Sequence, residues 1–227
     1  MVRLSVIVEG QTEETFVNEV LAPYLYDRGF VEVSAKIMAN ARQRDRRGGI
    51  RPWPGVRKEI IQRLKEDRNI YISTMVDYYA LPGGENNTKA WPGRFQAGFL
   101  SFADKAKHIE AELQQDIATD SNAERFIPYI MMHEFEGLLF SDCKQFAESI
   151  GRDDLATEFQ KIRDRYSSPE EINDSPQTHP SQRIETLMPE YEKPLYGNLA
   201  AIDIGLETFR RECPGFRRWL ERIEAII

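Results

Sequence analysis

Only two of the 227 residues are cysteine and three are histidine. Cys143 and Cys213 lie far apart and neither belongs to a CxxC pair, so a zinc site is disfavoured and buried thiols in a reducing compartment are expected. No apolar run approaches the roughly 20 residues that span a bilayer. The N-terminus lacks the basic, then apolar, then small-residue layout of a signal peptide. A cytoplasmic protein without membrane contact is therefore expected. There is neither an internal repeat nor a low-complexity tract. Cations are also in deficit: the net charge of −7 argues against a protein that coats nucleic acid indiscriminately.

The cations that are present are unevenly spread. Residues 42–58 carry Arg42, Arg44, Arg46, Arg47, Arg51, Arg57 and Lys58 against Asp45 alone, a local +6 that leaves −13 for the remainder. An acidic body with one basic loop suits local contact with a phosphate backbone. A solvated surface loop would have the same composition.

The apolar content of 41% is ordinary for a globular chain, and the length allows one sizeable α/β domain with an appendage. Short β-branched or apolar runs at 2–8, 31–38 and 69–76, and RFIPYIMM at 125–132, predict four strands. Pro128 weakens the last strand or places it at an edge. Helical spacing predicts helices after the first strand, from Val56 to near Asp67, over about 94–118, and from Cys143 to Tyr166. Further helical stretches fall near 181–188, 199–212 and 215–227. Strands alternating with helices predict an open, mostly parallel, Rossmann-like sheet flanked by helices. Residues 1–140 form that α/β core, and 141–227 a helical extension packed on it.

The segment Val8-Glu9-Gly10-Gln11-Thr12-Glu13 is the most informative. It sets a carboxylate where a buried strand turns into a helix, with Gly10 for the tight turn, Thr12 as the N-cap and two acids in the first helical turn. Asp77 ends the third strand and Glu134 and Glu136 follow the fourth. All are at strand exits, the edge where open α/β sheets place ligands. Converging carboxylates make a hard oxygen site suited to Mg²⁺ or Mn²⁺, whose chemistry serves phosphodiester cleavage. Glu13 is a candidate additional ligand, although helix-dipole stabilisation explains it equally. His133-Glu134-Phe135-Glu136 lacks the second histidine of a zinc-protease motif, because Gly137 stands there. His133 is a candidate base or phosphate contact, or a hydrogen-bonded structural histidine. Thr178, Ser181 and Arg183 could grip a phosphate at a helix start, or Thr178 or Ser181 could simply cap it; Lys193 could approach the same edge.

VEGQTE resembles the glutamate turn that opens Toprim domains, and Asp77 after NIYISTMV resembles the first aspartate of their Asp-x-Asp strand end. VEGQTEETFV, MVDYYALP, HEFEGLLF, INDSPQTHPSQRI and CPGFRRW, in that order over residues 5–219, resemble bacterial proteins with Toprim-like domains. These are related to the overcoming-lysogenization-defect nucleases. The resemblance implies a Mg²⁺- or Mn²⁺-dependent nuclease or phosphoesterase, with Glu9 catalytic and Asp77 a metal ligand, in a phage-defence module with a partner ATPase. One departure is plain. Tyr79 stands where the second aspartate falls, so Glu134 or Glu136 must supply that ligand. Otherwise the domain is a scaffold that binds its ATPase without cleaving. A nucleotide phosphohydrolase is a third reading.

Overall fold

The first strand, β1 (Arg3–Val8), is apolar along nearly its whole length because both of its faces are covered. Leu4, Val6 and Val8 pack into one core with the first and C-terminal helices. Ile7 points into a second core beneath the helices Trp53–Glu66 and Phe102–Ala118. The computed structural model describes residues 1–38, 49–172 and 178–227. Strands β2 (Glu32–Ile37), β3 (Ile70–Asp77), β4 (Phe126–Ile127) and β5 (Ile130–Met131) complete a sheet of order β2-β1-β3-β4, with β5 also on β3. Every pairing is parallel.

β4 and β5 are one predicted strand cut in two. The register to β3 is unchanged across the break, Ile72 facing Phe126 and Val76 facing Ile130. Pro128 has no N–H to give the ladder. The Thr74 hydroxyl fills the gap, lying 3.2 Å from the Tyr129 N–H and 3.3 Å from its carbonyl.

The first helix begins at Gln11 and runs through a π-helical stretch, Val17–Leu21, to Tyr26. Its N-cap is Gly10, not Thr12, which is buried two residues further along in the first turn. Gly10 has φ −147°, open to any residue, and a Cβ there would meet only Glu13 Oε2, at 3.4 Å. The turn therefore does not require glycine. Three of the long predicted helices are interrupted. The chain leaves Arg94–Ala97 before restarting at Phe102, breaks between Cys143–Ser149 and Ala156–Arg163 at Gly151 (φ +69°), and breaks at Gly205 (φ +76°).

The C-terminal helices cover the same sheet face as the first helix. Phe16 meets Phe135, Phe209 and Phe216 at ring distances of 5.5–6.0 Å. Trp219 of the closing helix Pro214–Glu224 stacks on Tyr129 at 4.7 Å and donates to Ser73 Oγ at 2.9 Å. Residues of 1–140 and 141–227 thus share one core, and truncating a side chain such as Phe16 would cost about 3–5 kcal/mol. Cys143 and Cys213 are buried and unbridged. Among the described residues, no helix is long and apolar enough to cross a membrane.

Candidate functional site

In this strand order the chain crosses to opposite sides of β1, so the switch point lies between the carboxyl ends of β1 and β3. Glu9 follows β1 and Asp77 ends β3. With Val8 level with Met75, these acids flank the crevice. Asp77 also faces Met131, so the chain that follows β5 enters the same edge. There His133 adopts φ +69°, a left-handed conformation that is uncommon for a residue with a side chain. This turn brings in Glu134, and Glu136 opens the short helix Glu136–Leu139. Neither a continuous strand nor a continuous helix holds the pair, and both acids reach one cation. Lys193 Nζ is 3.7 Å from Glu134 Oε1 and 3.4 Å from Glu136 Oε2. Lys193 is carried by the π-helical stretch Lys193–Gly197, an irregularity common at functional sites.

Glu13 completes the group. It is buried, and its Oε2 accepts the Gly10 N–H at 2.9 Å. Glu134 and Glu136 thus contact Lys193, Glu9, Glu13 and Asp77 lie within reach of its charge, and burial is the largest single influence on each acid. Burial raises the pKa of Glu9, with Glu134 adding repulsion. It pushes Glu13 and Glu136 to about 7. Asp77 is raised well above the usual range by burial and then by the charges of Glu9, Glu13, Glu136 and Glu134. Only Glu134 moves down. Burial raises it, but Lys193, the Ser181 hydrogen bonds and His179 together more than offset that. Lys193 is raised, the neighbouring acids outweighing its burial.

Two oxygens in this cluster, Glu9 Oε2 and Asp77 Oδ1, are enclosed and accept no hydrogen bond from the described residues. Carboxylate oxygens lacking donors are chemically suited to a hard divalent cation. Among the described residues, however, no three His, Cys, Asp or Glu side chains are already arranged to hold a metal ion. The donor atoms fit; a ready-made cage is not there.

The remaining sequence candidates divide. Ser181 is at the site, but its backbone N–H goes to Glu134 Oε2 at 3.0 Å, so the start of helix Pro180–Leu187 is turned to a carboxylate of the chain itself. The N-cap is His179, whose Nδ1 accepts the Gln182 N–H and lies 3.2 Å from Glu134. Arg183 is committed to the Thr178 carbonyl and the Tyr166 hydroxyl. Arg51 pairs with Glu59 at 2.8 Å, while Arg42, Arg44, Arg46 and Arg47 lie outside the described residues. Tyr79 is partly exposed in the turn after Asp77, its ring 6.2 Å from that of buried His133. Sequence reasoning missed His179 and Tyr191, the latter a buried phenol raised by burial and by Glu136 and Glu134. A histidine two residues before Ser181 was the available signal for the first; Tyr191 carried none.

Fold and site define an α/β protein with an acidic crevice at the switch point of a parallel sheet. Residues 8–224 match the family described as "Domain of unknown function (DUF4276)", and the chain belongs to that family. The matched span includes all five acids. No curated protein and no solved structure matches the chain.

Proposed function

We propose that this protein is a Mg²⁺- or Mn²⁺-dependent, Toprim-like phosphoesterase that cleaves nucleic acid, with a place in a phage-defence module. The observation that carries the reading is five carboxylates within electrostatic reach of one lysine at the switch point, with enclosed oxygens on Glu9 and Asp77 that have no donor among the described residues. The resemblance of VEGQTE and of the strand ending at Asp77 to Toprim turns supports it independently.

Glu9, Asp77 and Glu134 or Glu136 would hold the cation. When bound, it would polarise a phosphoryl oxygen and lower the pKa of a coordinated water. Lys193 is placed to meet a phosphate oxygen once its carboxylate partners turn to metal. Glu136 and Glu13, with pKa values of about 7, are matched to taking or giving a proton near neutrality.

The test is incubation of purified protein with single- and double-stranded DNA, RNA and mononucleotides, with Mg²⁺ or Mn²⁺. Glu9→Gln and Asp77→Asn run alongside, and Mn²⁺ binding is measured by calorimetry. Metal-dependent cleavage lost in both variants, with Mn²⁺ binding weakened in Asp77→Asn, is expected. Cleavage that persists in Glu9→Gln would sink the assignment. Hydrolysis of mononucleotides alone would make it a nucleotide phosphohydrolase.

A second reading has its own support. Tyr79 replaces an acid, and Leu195, Leu199 and Ile202, about a turn apart beside Lys193, are 49%, 43% and 49% exposed. A non-cleaving scaffold that docks a partner such as an ATPase would use such a row. Copurification of an ATPase that is lost in Leu199→Asp, with no cleavage by the pair, would favour it.

A further inference from the structure

A row of rings leads away from the acids along the β5 edge. Tyr79, two residues after Asp77, stands 6.2 Å from the ring of His133, which stands 5.6 Å from Phe102. His133 directly precedes Glu134, so the row starts at the acidic crevice. Beyond it, Phe102 lines a cavity of about 250 Å³ between the start of helix Phe102–Ala118 and the closing helix. Its apolar walls include Ala106, Ile130 and Met132; its charged lining is Lys107 and Arg218 together with Glu170, held by the Gly215 and Phe216 N–H groups, and Glu171, held by the Ser167 N–H. Among the described residues, neither cation has a carboxylate within ion-pair distance, whereas many of the chain's other arginines do. On the near side, Arg94 lies 3.9 Å and Lys105 5.5 Å over the ring of Tyr78.

Arg218 donates only to the Pro214 carbonyl among the described hydrogen bonds, and aromatic faces interleaved with cations outside ion pairs are what an unpaired nucleic acid strand binds. Bases stack on the rings and phosphates meet the cations. The cavity is smaller than the roughly 300–1,000 Å³ typical of drug-sized ligands, a size suited to one heterocycle and closed to a duplex. We propose that this track binds single-stranded nucleic acid, seating one unpaired base against Phe102 with its flanking phosphates on Lys107 and Arg218. The proposal rests on the phosphodiesterase reading for its placement beside the acids, and it names the substrate class.

The experiment uses the full chain carrying Glu9→Gln, so that cleavage does not consume the probe. Binding is measured by fluorescence anisotropy on labelled oligo-dT and on a duplex of equal length, and by quenching of 2-aminopurine placed within the oligonucleotide. Single strand bound on the order of tenfold more tightly than duplex is expected, with quenched 2-aminopurine. Phe102→Ala should abolish the quenching. Should Phe102→Ala fail to fold, Lys107→Glu, at an exposed position, should still weaken binding several-fold and lower the salt slope by about one. Equal or tighter binding of duplex, or a Lys107→Glu variant that binds like its parent, overturns the track. Cleavage by wild-type protein without single-strand preference overturns it too, while leaving the phosphodiesterase intact. Selective single-strand binding by a protein that cleaves nothing supports the track and overturns the phosphodiesterase.

Discussion

Lys193 Nζ stands 3.4 Å from Oε2 of Glu136, a carboxylate only 3% exposed, and 57 residues separate the two in the chain. This contact ties the C-terminal layer to the turn after β5. It also gives the acidic crevice an ammonium counter-charge. Removing one partner of a buried pair costs more than the pair itself contributes, because the other is stranded. Lys193 is 39% exposed, so solvent relieves part of that penalty. Lys193→Met is expected to lower stability by about 1–3 kcal/mol. Urea denaturation with and without Mg²⁺ checks it. An unchanged midpoint in the metal-free protein would mean that the ammonium is incidental.

The same acids set the pH response. Glu13 and Glu136 have folded-state values of about 7 against an ordinary 4.5. A raised folded value means stability that is fully present below the unfolded value and lost as pH rises through the folded one. Glu134, whose value is lowered, works oppositely, losing its contribution as pH falls. In chelator, the melting temperature should therefore decline from about pH 5 to about pH 8. Mg²⁺, which needs ionised ligands, should restore more at the alkaline end. A Mg²⁺ effect that is equal or larger at low pH would remove these acids from the metal site.

The strands and their exits were readable because a strand's face and its end are both fixed by a short run of sequence. Glu9, Asp77 and Glu134 each lie within three residues of a strand end. Pro128 announced its own break through its missing N–H. What came together across long separations was not readable. Glu134 finds His179 and Ser181, 45 and 47 residues on, only because the C-terminal helices dock on the sheet. Glu13 reads equally well as an additional ligand and as a dipole-stabilising acid, because its burial, which comes from the same layer, is not visible in the first helical turn. Helix breaks were missed at Gly151 and Gly205, where only the folded backbone shows positive φ.

Asp77 and Glu9 each keep an enclosed oxygen without a donor among the described residues, an arrangement that costs stability in the absence of a cation. Neutral isosteres remove the repulsion and keep the shape. Asp77→Asn should raise the metal-free melting temperature by a few degrees, on the order of 1 kcal/mol for a chain of this size, while abolishing cleavage. Such a trade of activity against stability marks acids held for function. If differential scanning calorimetry shows Asp77→Asn destabilised, the acid is structural.

Glu170 offers the contrasting case of a buried acid whose oxygens are all engaged. Its carboxylate accepts the N–H groups of Gly215 and Phe216 at 2.7 and 2.9 Å and the Tyr129 hydroxyl at 3.5 Å. It thereby satisfies donors at the start of the closing helix that would otherwise be orphaned, and its charge complements the helix dipole. A Cβ on Gly215 would come within 2.5 Å of Glu170 Oε1, so that glycine is required by the close approach. Glu170→Ala and Gly215→Ala should each cost about 2–4 kcal/mol, and because they break one contact the double variant should cost less than the sum. Chemical denaturation of the two single variants and the double variant measures the coupling. Strict additivity would show that the carboxylate and the glycine act independently, and that the helix start is held by something else.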